Sequence, residues 1–363
     1  MTAYNSTGDS EASPELSATI KATPAGDTLI GGAFQGVPLS MSYSVGTMVG
    51  TGKAGTVDGI GTAASFSNPI GITTDGTHLF VADTFNNSIR KIVIATGAVS
   101  TLAGAAAPGT ADGTGAAARF YYPYGITTDG TSLYVSDYGN HAIRRIDITS
   151  GVVTTLAGSA TSGSSNGTGA AAGFKNPRGI TTDGTNVFVA DSGNRTIRKI
   201  VIATKVVTTL AGSATSGSVD GNGIAATFNT PEGLATDGTS LYLTDSANHN
   251  IRKINISTTT VTTIAGSTIA GSADGIGSAA GFNTPVGITT DGTNLYVADS
   301  KNNTIRTIEI LTGSVMKVAG SGSAGRADGD GASATFSQPM GIASDGAHLF
   351  VSDYSYCLIR EIF

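Results

Sequence analysis

Residues 177–211 read PRGITTDGTNVFVADSGNRTIRKIVIATKVVTTLA and contain four short β-prone runs, at 179–182, 187–190, 197–202 and 206–211. The Asp183-Gly184 pair that follows the first run is a common hairpin turn. The second run is almost continuously apolar, which is expected for a strand covered on both faces, and the last two runs alternate apolar and polar residues. The stretch therefore predicts four short antiparallel strands connected as a meander.

This unit recurs six times with a spacing of 54 residues and no insertion. The positions that keep the spacing are Pro69, Pro123, Pro177, Pro231, Pro285 and Pro339; Phe66, Phe120, Phe174, Phe228, Phe282 and Phe336; Asp83, Asp137, Asp191, Asp245, Asp299 and Asp353; and Arg90, Arg144, Arg198, Arg252, Arg306 and Arg360. A sheet with two apolar faces needs a neighbour on each face. Six equal units in a ring meet this need, so the sequence predicts an all-β fold, a six-bladed β-propeller of four-stranded antiparallel blades.

The two ends of the chain predict how the ring closes. The last copy stops after its third strand, whereas residues 45–50 lie one repeat before 99–104, the fourth strand of the first full copy. We therefore expect residues 41–50 to supply the outer strand of the final blade. On this interpretation the propeller spans residues 41–363, and residues 1–40 form a partly flexible N-terminal stem or linker.

The amino-acid composition excludes several classes of binding partner and site. Of the 363 residues only 13% are charged, and the net charge is −6. No basic stripe is present to neutralise phosphates, so we expect no nucleic-acid partner, and no apolar run approaches the ~20 residues of a transmembrane segment. The single cysteine, Cys357, excludes an intramolecular disulfide and a cysteine-based zinc site.

The N-terminal stretch MTAYNSTGDSEASPELSATIKATPAGD lacks the basic start and apolar core of a signal peptide. It is rich in Ser, Thr and Pro, a composition typical of stems that precede the globular body of exported proteins. Together with the single cysteine, this favours an extracellular, periplasmic or cell-surface protein whose export signal is absent from this sequence.

The clearest copy of the unit has Pro-Val-Gly-Ile at 285–288, Leu-Tyr-Val-Ala-Asp at 295–299 and Asn-Asn-Thr-Ile-Arg-Thr-Ile at 302–308. This pattern resembles the NHL repeat, in all six copies, and points to a bacterial, secreted or lipid-anchored type. The resemblance implies a six-bladed propeller but little about chemistry, because NHL proteins include protein-binding, RNA-binding and lyase domains. The unit is longer than the usual NHL repeat, and the surplus lies between blades, as at 213–231.

Residues that are present in every copy are interpreted as structural. Most aspartates follow the second strand, occupy the Asp-Gly hairpins or belong to an Asp-Gly-x-Gly loop, where short side chains accept backbone N–H groups. That loop, at 58–61 in the first copy, has a calcium-binding alternative, but it lacks the clustered second and third carboxylates that such a site needs. The six repeated arginines are predicted to brace strands or blades.

Residues that occur once are the candidates for function. Successive turns of a meander alternate between its two ends, so the loops between blades share one face with the turns between second and third strands. On this face, the position between Pro and Gly at the mouth of the channel varies most. The candidate ligand-binding residues are Tyr121, Tyr122, Tyr124, Tyr138, His141, Lys175, Arg178, Arg195, Glu232, His249, Tyr354 and Tyr356.

Exposed Tyr and Arg are enriched at recognition surfaces. We therefore expect a monomeric, non-catalytic scaffold without cofactor or metal that binds a protein, peptide or glycan at the channel mouth. The alternative is a metal-dependent hydrolase, lactonase or lyase, as in six-bladed relatives. A metal needs about three convergent ligands, whereas the mouth offers the carboxylate of Glu232 alone and His141 and His249 lie two blades apart. Two further alternatives remain. The residues that occur once reflect neutral drift on a solvated rim, or the protein is a purely structural spacer.

Overall fold

The computed structural model describes residues 28–30, 33–35 and 38–363. Most of the stem predicted at residues 1–40 lies outside these described residues. Within it, β1 (Thr28–Ile30) and β2 (Ala33–Gln35) pair as an antiparallel hairpin. β3 (Val45–Val49) follows. The boundary between stem and propeller stays a prediction.

In the described part of the chain, six sheets form the blades and follow one another in sequence order. The strands of the first three blades are β4 (Gly59–Ile60), β5 (Ile72–Thr74), β6 (His78–Asp83), β7 (Ser88–Val93) and β8 (Ala98–Gly104); β9 (Gly113–Thr114), β10 (Pro123–Thr128), β11 (Ser132–Asp137), β12 (Ala142–Asp147) and β13 (Val152–Gly158); and β14 (Gly167–Thr168), β15 (Pro177–Thr182), β16 (Asn186–Asp191), β17 (Thr196–Val201) and β18 (Val206–Gly212). The strands of the last three are β19 (Gly221–Asn222), β20 (Pro231–Thr236), β21 (Ser240–Asp245), β22 (Asn250–Asn255) and β23 (Thr260–Gly266); β24 (Gly275–Ile276), β25 (Pro285–Thr290), β26 (Asn294–Asp299), β27 (Thr304–Glu309) and β28 (Ser314–Ala319); and β29 (Pro339–Ser344), β30 (Leu349–Asp353) and β31 (Leu358–Ile362).

The described residues also form short 3₁₀ helices of three residues each. Five follow the short first strand of a blade, at Gly61–Ala63, Gly115–Ala117, Gly169–Ala171, Gly223–Ala225 and Gly277–Ala279. Five lie in the turn between the second and third long strands, at Thr84–Asn86, Tyr138–Asn140, Ser192–Asn194, Ser246–Asn248 and Ser300–Asn302. Within the described part of the chain, no helix has the length and apolar character needed to cross a membrane.

The strand order of the first blade, from the channel outward, is β5-β6-β7-β8-β4. The four long strands form the predicted meander, and the short β4 is an addition that the repeat pattern does not predict. Gly59 and Ile60 in β4 pair with Val99 and Ala98 in β8, so the surplus length between blades folds back along the outer edge. A strand of two residues leaves no periodic signal in the sequence, which is why four strands are expected and five are found.

The final blade has four strands, because β3 from the N-terminal region takes the outer position. β3 pairs antiparallel with β31, with Val45 opposite Ile362 and Thr47 opposite Arg360. The backbone of Val45 also bridges Gly329 in the loop that precedes β29. The predicted closure of the ring by an N-terminal strand is therefore confirmed.

A glycine in each inner strand, or directly before it in the first blade, lets adjacent blades meet around the channel. Gly71 donates its N–H group to the carbonyl oxygen of Tyr124 at 2.9 Å. A Cβ atom on Gly341 would clash with the carbonyl oxygen of Ile70, so no larger residue fits at this position. These contacts join the first blade to the second and the sixth to the first, and they hold the residue before each glycine at the channel mouth.

Among residues 38–363, six hydrophobic clusters fill the spaces between neighbouring blades, and six buried arginines brace the blades from within. Arg90 donates from Nη1 to Asp83 at 2.8 Å and from Nη2 to Asp58 at 2.7 Å. Its guanidinium group lies 5.1 Å from the ring centroid of Phe66. Each arginine therefore ties the second strand to the loop that carries the short strand, as the repetition predicts.

Candidate functional site

The central channel is mainly apolar and opens at a ring of variable residues. The ring positions, one before the glycine of each inner strand, are Ile70, Tyr124, Arg178, Glu232, Val286 and Met340. The channel cavity has a volume of about 70 Å³, which is room for only a few water molecules, at roughly 30 Å³ each. A ligand larger than that does not fit inside the channel.

Three polar ring residues from adjacent blades, Tyr124, Arg178 and Glu232, form one hydrogen-bonded group, the mouth triad. The Glu232 side chain is only 6% exposed. Its Oε1 accepts a hydrogen bond from the Tyr124 hydroxyl and another from Arg178 Nη1 at 2.8 Å. The triad therefore joins the second, third and fourth blades across the mouth.

The guanidinium group of Arg178 is also held by two aromatic rings. It lies 5.4 Å from the ring centroid of Tyr124 and 5.8 Å from that of Tyr138, distances at which cation–π attraction acts. The two rings stack on one another with centroids 5.9 Å apart. Tyr138 reaches this position because it begins the 3₁₀ turn Tyr138–Asn140, which follows the second long strand.

Burial and the nearby Glu232 carboxylate raise the pKa of the Tyr124 hydroxyl well above its ordinary value. For Arg178, burial opposes the charged form, but Glu232, Tyr124 and Tyr138 outweigh it and raise the pKa above its ordinary value. Tyr124 therefore stays a neutral hydrogen-bond donor, and Arg178 stays cationic at all physiological pH. Neither group exchanges a proton near neutrality, so both are suited to recognition rather than acid–base chemistry.

A second group of side chains, the aromatic patch, consists of Phe85, Tyr121, Tyr122 and Tyr354. Phe85 is 49% exposed and Tyr121 is 40% exposed. The ring centroid of Phe85 lies 5.2 Å from that of Tyr122 and 6.4 Å from that of Tyr354. The ring of Tyr121 stacks on that of Tyr122 with centroids 4.7 Å apart. The patch spans the sixth, first and second blades, which are adjacent once the ring closes.

The aromatic patch continues into the mouth triad. The ring of Tyr121 packs against Gly139, where a Cβ atom would clash with it. Tyr138 directly precedes Gly139 in the same turn. Its ring stacks on Tyr124 and lies 5.8 Å from the guanidinium group of Arg178. The structure thus brings the predicted residues Tyr121, Tyr122, Tyr124, Tyr138, Arg178, Glu232 and Tyr354 into one continuous arc around the mouth.

The two predicted histidines have a contact that their residue type does not reveal. Nδ1 of His141 accepts the backbone N–H of Asn176, and Nδ1 of His249 accepts that of Thr284, each at 3.1 Å. Burial and then a neighbouring lysine lower the pKa of both rings. Each histidine is therefore a neutral link to the next blade. Among residues 38–363, no three His, Cys, Asp or Glu side chains converge to hold a metal ion.

Two shallow grooves flank Arg178. The Lys301 groove, with a volume of about 350 Å³, is lined by Arg178, Glu232, His249 and Lys301 among others. The Arg195 groove, about 220 Å³, is lined by Tyr138, Arg178 and Arg195 among others. Arg195 is held in place because its Nη1 donates to the Ala214 carbonyl at 3.0 Å.

The remaining predicted residues lie at the margins of this surface. Lys175 is exposed, and the stem of its side chain packs over Gly193 beside the Arg195 groove. Tyr356 lies apart from the mouth triad, with its ring centroid 5.6 Å from the guanidinium of Arg326. It occupies the position where the other five blades have an asparagine that bonds the buried aspartate, as Asn86 does to Asp83.

Two residues at the site, Phe85 and Lys301, are absent from the sequence-predicted set. They occupy the same position of their respective turns, which reads Phe85, Gly139, Gly193, Ala247, Lys301 and Ser355 across the blades. A bulky or charged residue among small ones at one repeated turn position is the signal that would have found them.

The sequence is 31% identical over 307 residues to human NHL repeat-containing protein 2, in a match that covers 73% of this chain and 42% of the human protein. The chain is a six-bladed propeller of NHL repeats. This NHL propeller is also 29% identical over 319 residues to the chloroplastic protein SUPPRESSOR OF QUENCHING 1 of Arabidopsis thaliana, covering 82% of this chain and 30% of that protein. No family model matches the sequence.

The NHL propeller spans less than half the length of these curated relatives. Among solved structures, it is similar to an auxiliary nutrient binding protein from Bacteroides thetaiotaomicron, with a TM-score of 0.68 and 18% sequence identity over 88% of this chain and 76% of that one. At this identity the likeness shows the fold alone.

Proposed function

We propose that this NHL propeller is a non-catalytic binding protein that recognises a ligand with the face around the channel mouth. One observation carries the proposal: the mouth triad joins Tyr124, Arg178 and Glu232 from three blades in a fixed arrangement. Arg178 keeps 27% of its side chain exposed, where the two grooves meet. A recognition group that is already ordered loses little entropy when a ligand binds.

The protonation behaviour of the site supports binding over catalysis. Tyr124 and Arg178 keep their protons at neutral pH, and Nδ1 of His249 is occupied by a backbone N–H group. A general acid or base works best when its pKa lies near the working pH, and the mouth triad supplies none. A metal-dependent hydrolase, lactonase or lyase is therefore the weaker candidate.

The fold neighbour whose name includes nutrient binding is compatible with a ligand-binding role. We propose, from the stem-like N-terminal sequence, that the protein acts outside the cytoplasm. Localisation of the native protein by cell fractionation tests this point separately from the binding role.

The experiment uses the R178Q/E232Q variant, which removes both charges of the triad and keeps the net charge of the chain. A glycan array and a phage-displayed library of random dodecapeptides are screened with the wild-type protein. We expect the binders to lose affinity for R178Q/E232Q, whose melting temperature stays close to wild type because no buried charge is left unpaired.

The matched control is Arg145→Ala, since Arg145 is an exposed arginine of the third long strand of its blade, away from the mouth. Binders that keep their affinity for the control and lose it for R178Q/E232Q support the proposal. The proposal is overturned if the screens yield no binder, or if every binder is indifferent to the loss of the triad.

A further inference from the structure

We infer that the ligand of this face is an acidic segment of a protein that also carries aromatic or other apolar side chains. The inference rests on the proposed function and names the chemistry of the ligand. The basic part of the surface, around the Lys301 and Arg195 grooves, binds carboxylates, and the aromatic patch binds the apolar side chains.

The charge around the mouth is opposite to that of the whole chain. The chain has 26 acidic and 20 basic residues, yet the two grooves are lined by Arg178, Arg195 and Lys301, with Glu232 as the only carboxylate among their described lining residues. Glu232 is already paired with Arg178. The remaining cations therefore have no acidic partner in the groove linings, and a concave surface of one charge attracts ligands of the other.

Two aspartates that directly precede the groove residues Ser192 and Ser246 do not offset the cations. Asp191 and Asp245 follow the second strands of the third and fourth blades, and both side chains are fully buried. Asp191 pairs with Arg198 at 2.9 Å and Asp245 with Arg252 at 3.5 Å. Their charges are thus balanced inside the blades, and the positive charge of the grooves is left for a ligand.

The Lys301 groove is lined by hydrogen-bond donors. Because Nδ1 of His249 accepts the N–H of Thr284, the neutral ring carries its proton on Nε2 and can donate. Arg178 and Lys301 lie on the same groove. Two cations and a neutral N–H donor on one groove suit a carboxylate, which accepts several hydrogen bonds at once.

The geometry of the aromatic patch favours a peptide over a glycan. Sugar rings stack on flat, exposed aromatic faces, whereas the ring of Phe85 is tilted by 52° to Tyr122 and by 71° to Tyr354. Tyr121 and Tyr122 use one face of each ring on each other. Tilted rings enclose a side chain instead of forming a platform, so an apolar side chain of a peptide fits better.

The basic and aromatic parts are joined, so one extended segment can contact both. The link runs from Tyr121 through the turn at Gly139 to Tyr138 and Arg178. An extended chain advances about 3.3–3.6 Å per residue, so a dodecapeptide reaches about 40 Å, and probes of this length are used in the test.

The test uses three fluorescein-labelled probes: the dodecapeptides (Glu-Glu-Phe)₄ and (Lys-Lys-Phe)₄, and a tetragalacturonate as an acidic glycan. Binding to the full chain is measured by fluorescence anisotropy at two salt concentrations. We expect (Glu-Glu-Phe)₄ to bind most tightly and to weaken as salt increases. Lys301→Glu should weaken it about tenfold, whereas the control Lys205→Glu, an exposed lysine of a turn on the opposite face, should change affinity by less than about twofold.

Equal binding of the acidic and basic peptides overturns the inference, as does tetragalacturonate binding at least as tightly as (Glu-Glu-Phe)₄. In both cases the proposed function stands if R178Q/E232Q still abolishes binding of the ligands found in the screens. If R178Q/E232Q has no effect on any probe or screened ligand, the proposed function fails as well.

Discussion

The two faces of the ring are built from the same repeats but use their side chains differently. On the face away from the mouth, Asp75 accepts the backbone N–H groups of Thr77 and His78 at 2.9 and 2.7 Å, and the other five Asp-Gly hairpins repeat this pattern. The residue three positions after this aspartate varies between blades, and where it is Asn or His its side chain bonds the aspartate of its own turn, as Asn186 donates to Asp183 at 2.9 Å.

On the mouth face, the variable residues bond across blades. Tyr124 of the second blade and Arg178 of the third both bind Glu232 of the fourth, and Phe85 of the first packs between Tyr122 of the second and Tyr354 of the sixth. Variation that serves a local turn is structural, whereas variation linked across blades builds a shared surface. Substitutions in the repeated framework should therefore change stability, and those at the mouth should change binding.

The largest loss of stability is expected from replacing one of the six buried arginines of the repeated framework. Arg252→Met leaves the buried carboxylate of Asp245 without its cation, and an uncompensated buried charge costs about 3–5 kcal/mol of unfolding free energy. Chemical denaturation measures the change, with Lys253→Met in the same strand as the control. A loss below about 1 kcal/mol would show that the repeated arginines are not the braces described above.

An intermediate loss of stability is expected at the inner-strand glycines, which lie next to the ring residues of the mouth. Gly179→Ala places a Cβ atom against the carbonyl oxygen of Glu232, and overpacking of this kind costs about 1–3 kcal/mol. The control is Gly163→Ala, whose Cβ would lie at 3.4 Å from Gly173 Cα, an ordinary contact. Equal stability of the two variants would contradict the close approach of neighbouring inner strands.

The smallest change in stability is expected in the sixth blade, where Tyr356 stands at the position that is asparagine in the other five blades. Burial raises the pKa of Asp353 to about 7, from an ordinary value of 3.8. A carboxyl group whose pKa is raised by folding stabilises the protein below pH 4, and this contribution is lost as the pH rises through about 7.

Tyr356→Asn restores an amide donor to the Asp353 carboxylate, as Asn302 donates to Asp299 at 2.7 Å. We expect the variant to gain about 1 kcal/mol of unfolding free energy at pH 8 and less at pH 4. Urea denaturation at the two pH values measures the difference between variant and wild type. A gain that is larger at pH 4 than at pH 8 would show that the new amide does not reach the carboxylate.

The spacing of the repeats is enough to predict the fold, because the positions of Pro, Phe, Asp and Arg are set by contacts that each blade makes in the same way. It also predicts the mouth position, since Tyr124, Arg178 and Glu232 stand out against apolar residues at one repeated place. The closure by β3 follows from the missing fourth strand of the last copy. These features depend on periodicity, which a sequence displays directly.

Features that depend on distance between blades could not be predicted. The packing of Phe85 against Tyr122 and Tyr354, and the position of Lys301 on the same groove as Arg178, require knowledge of which turns meet in space. His141 and His249 show the opposite difficulty, because their residue type suggests a ligand or a base while their Nδ1 atoms bind the next blade. The short strand β4 has too few residues to show a period.

The contrast between the two faces is tested most directly by hydrogen–deuterium exchange of the wild-type protein with and without a dodecapeptide binder from the screen. We expect slower exchange at the mouth-side segments 121–124, 138–141 and 300–303, with no change in the Asp-Gly hairpins of the other face. Protection confined to those hairpins, or absent from the mouth-side segments, would contradict this expectation.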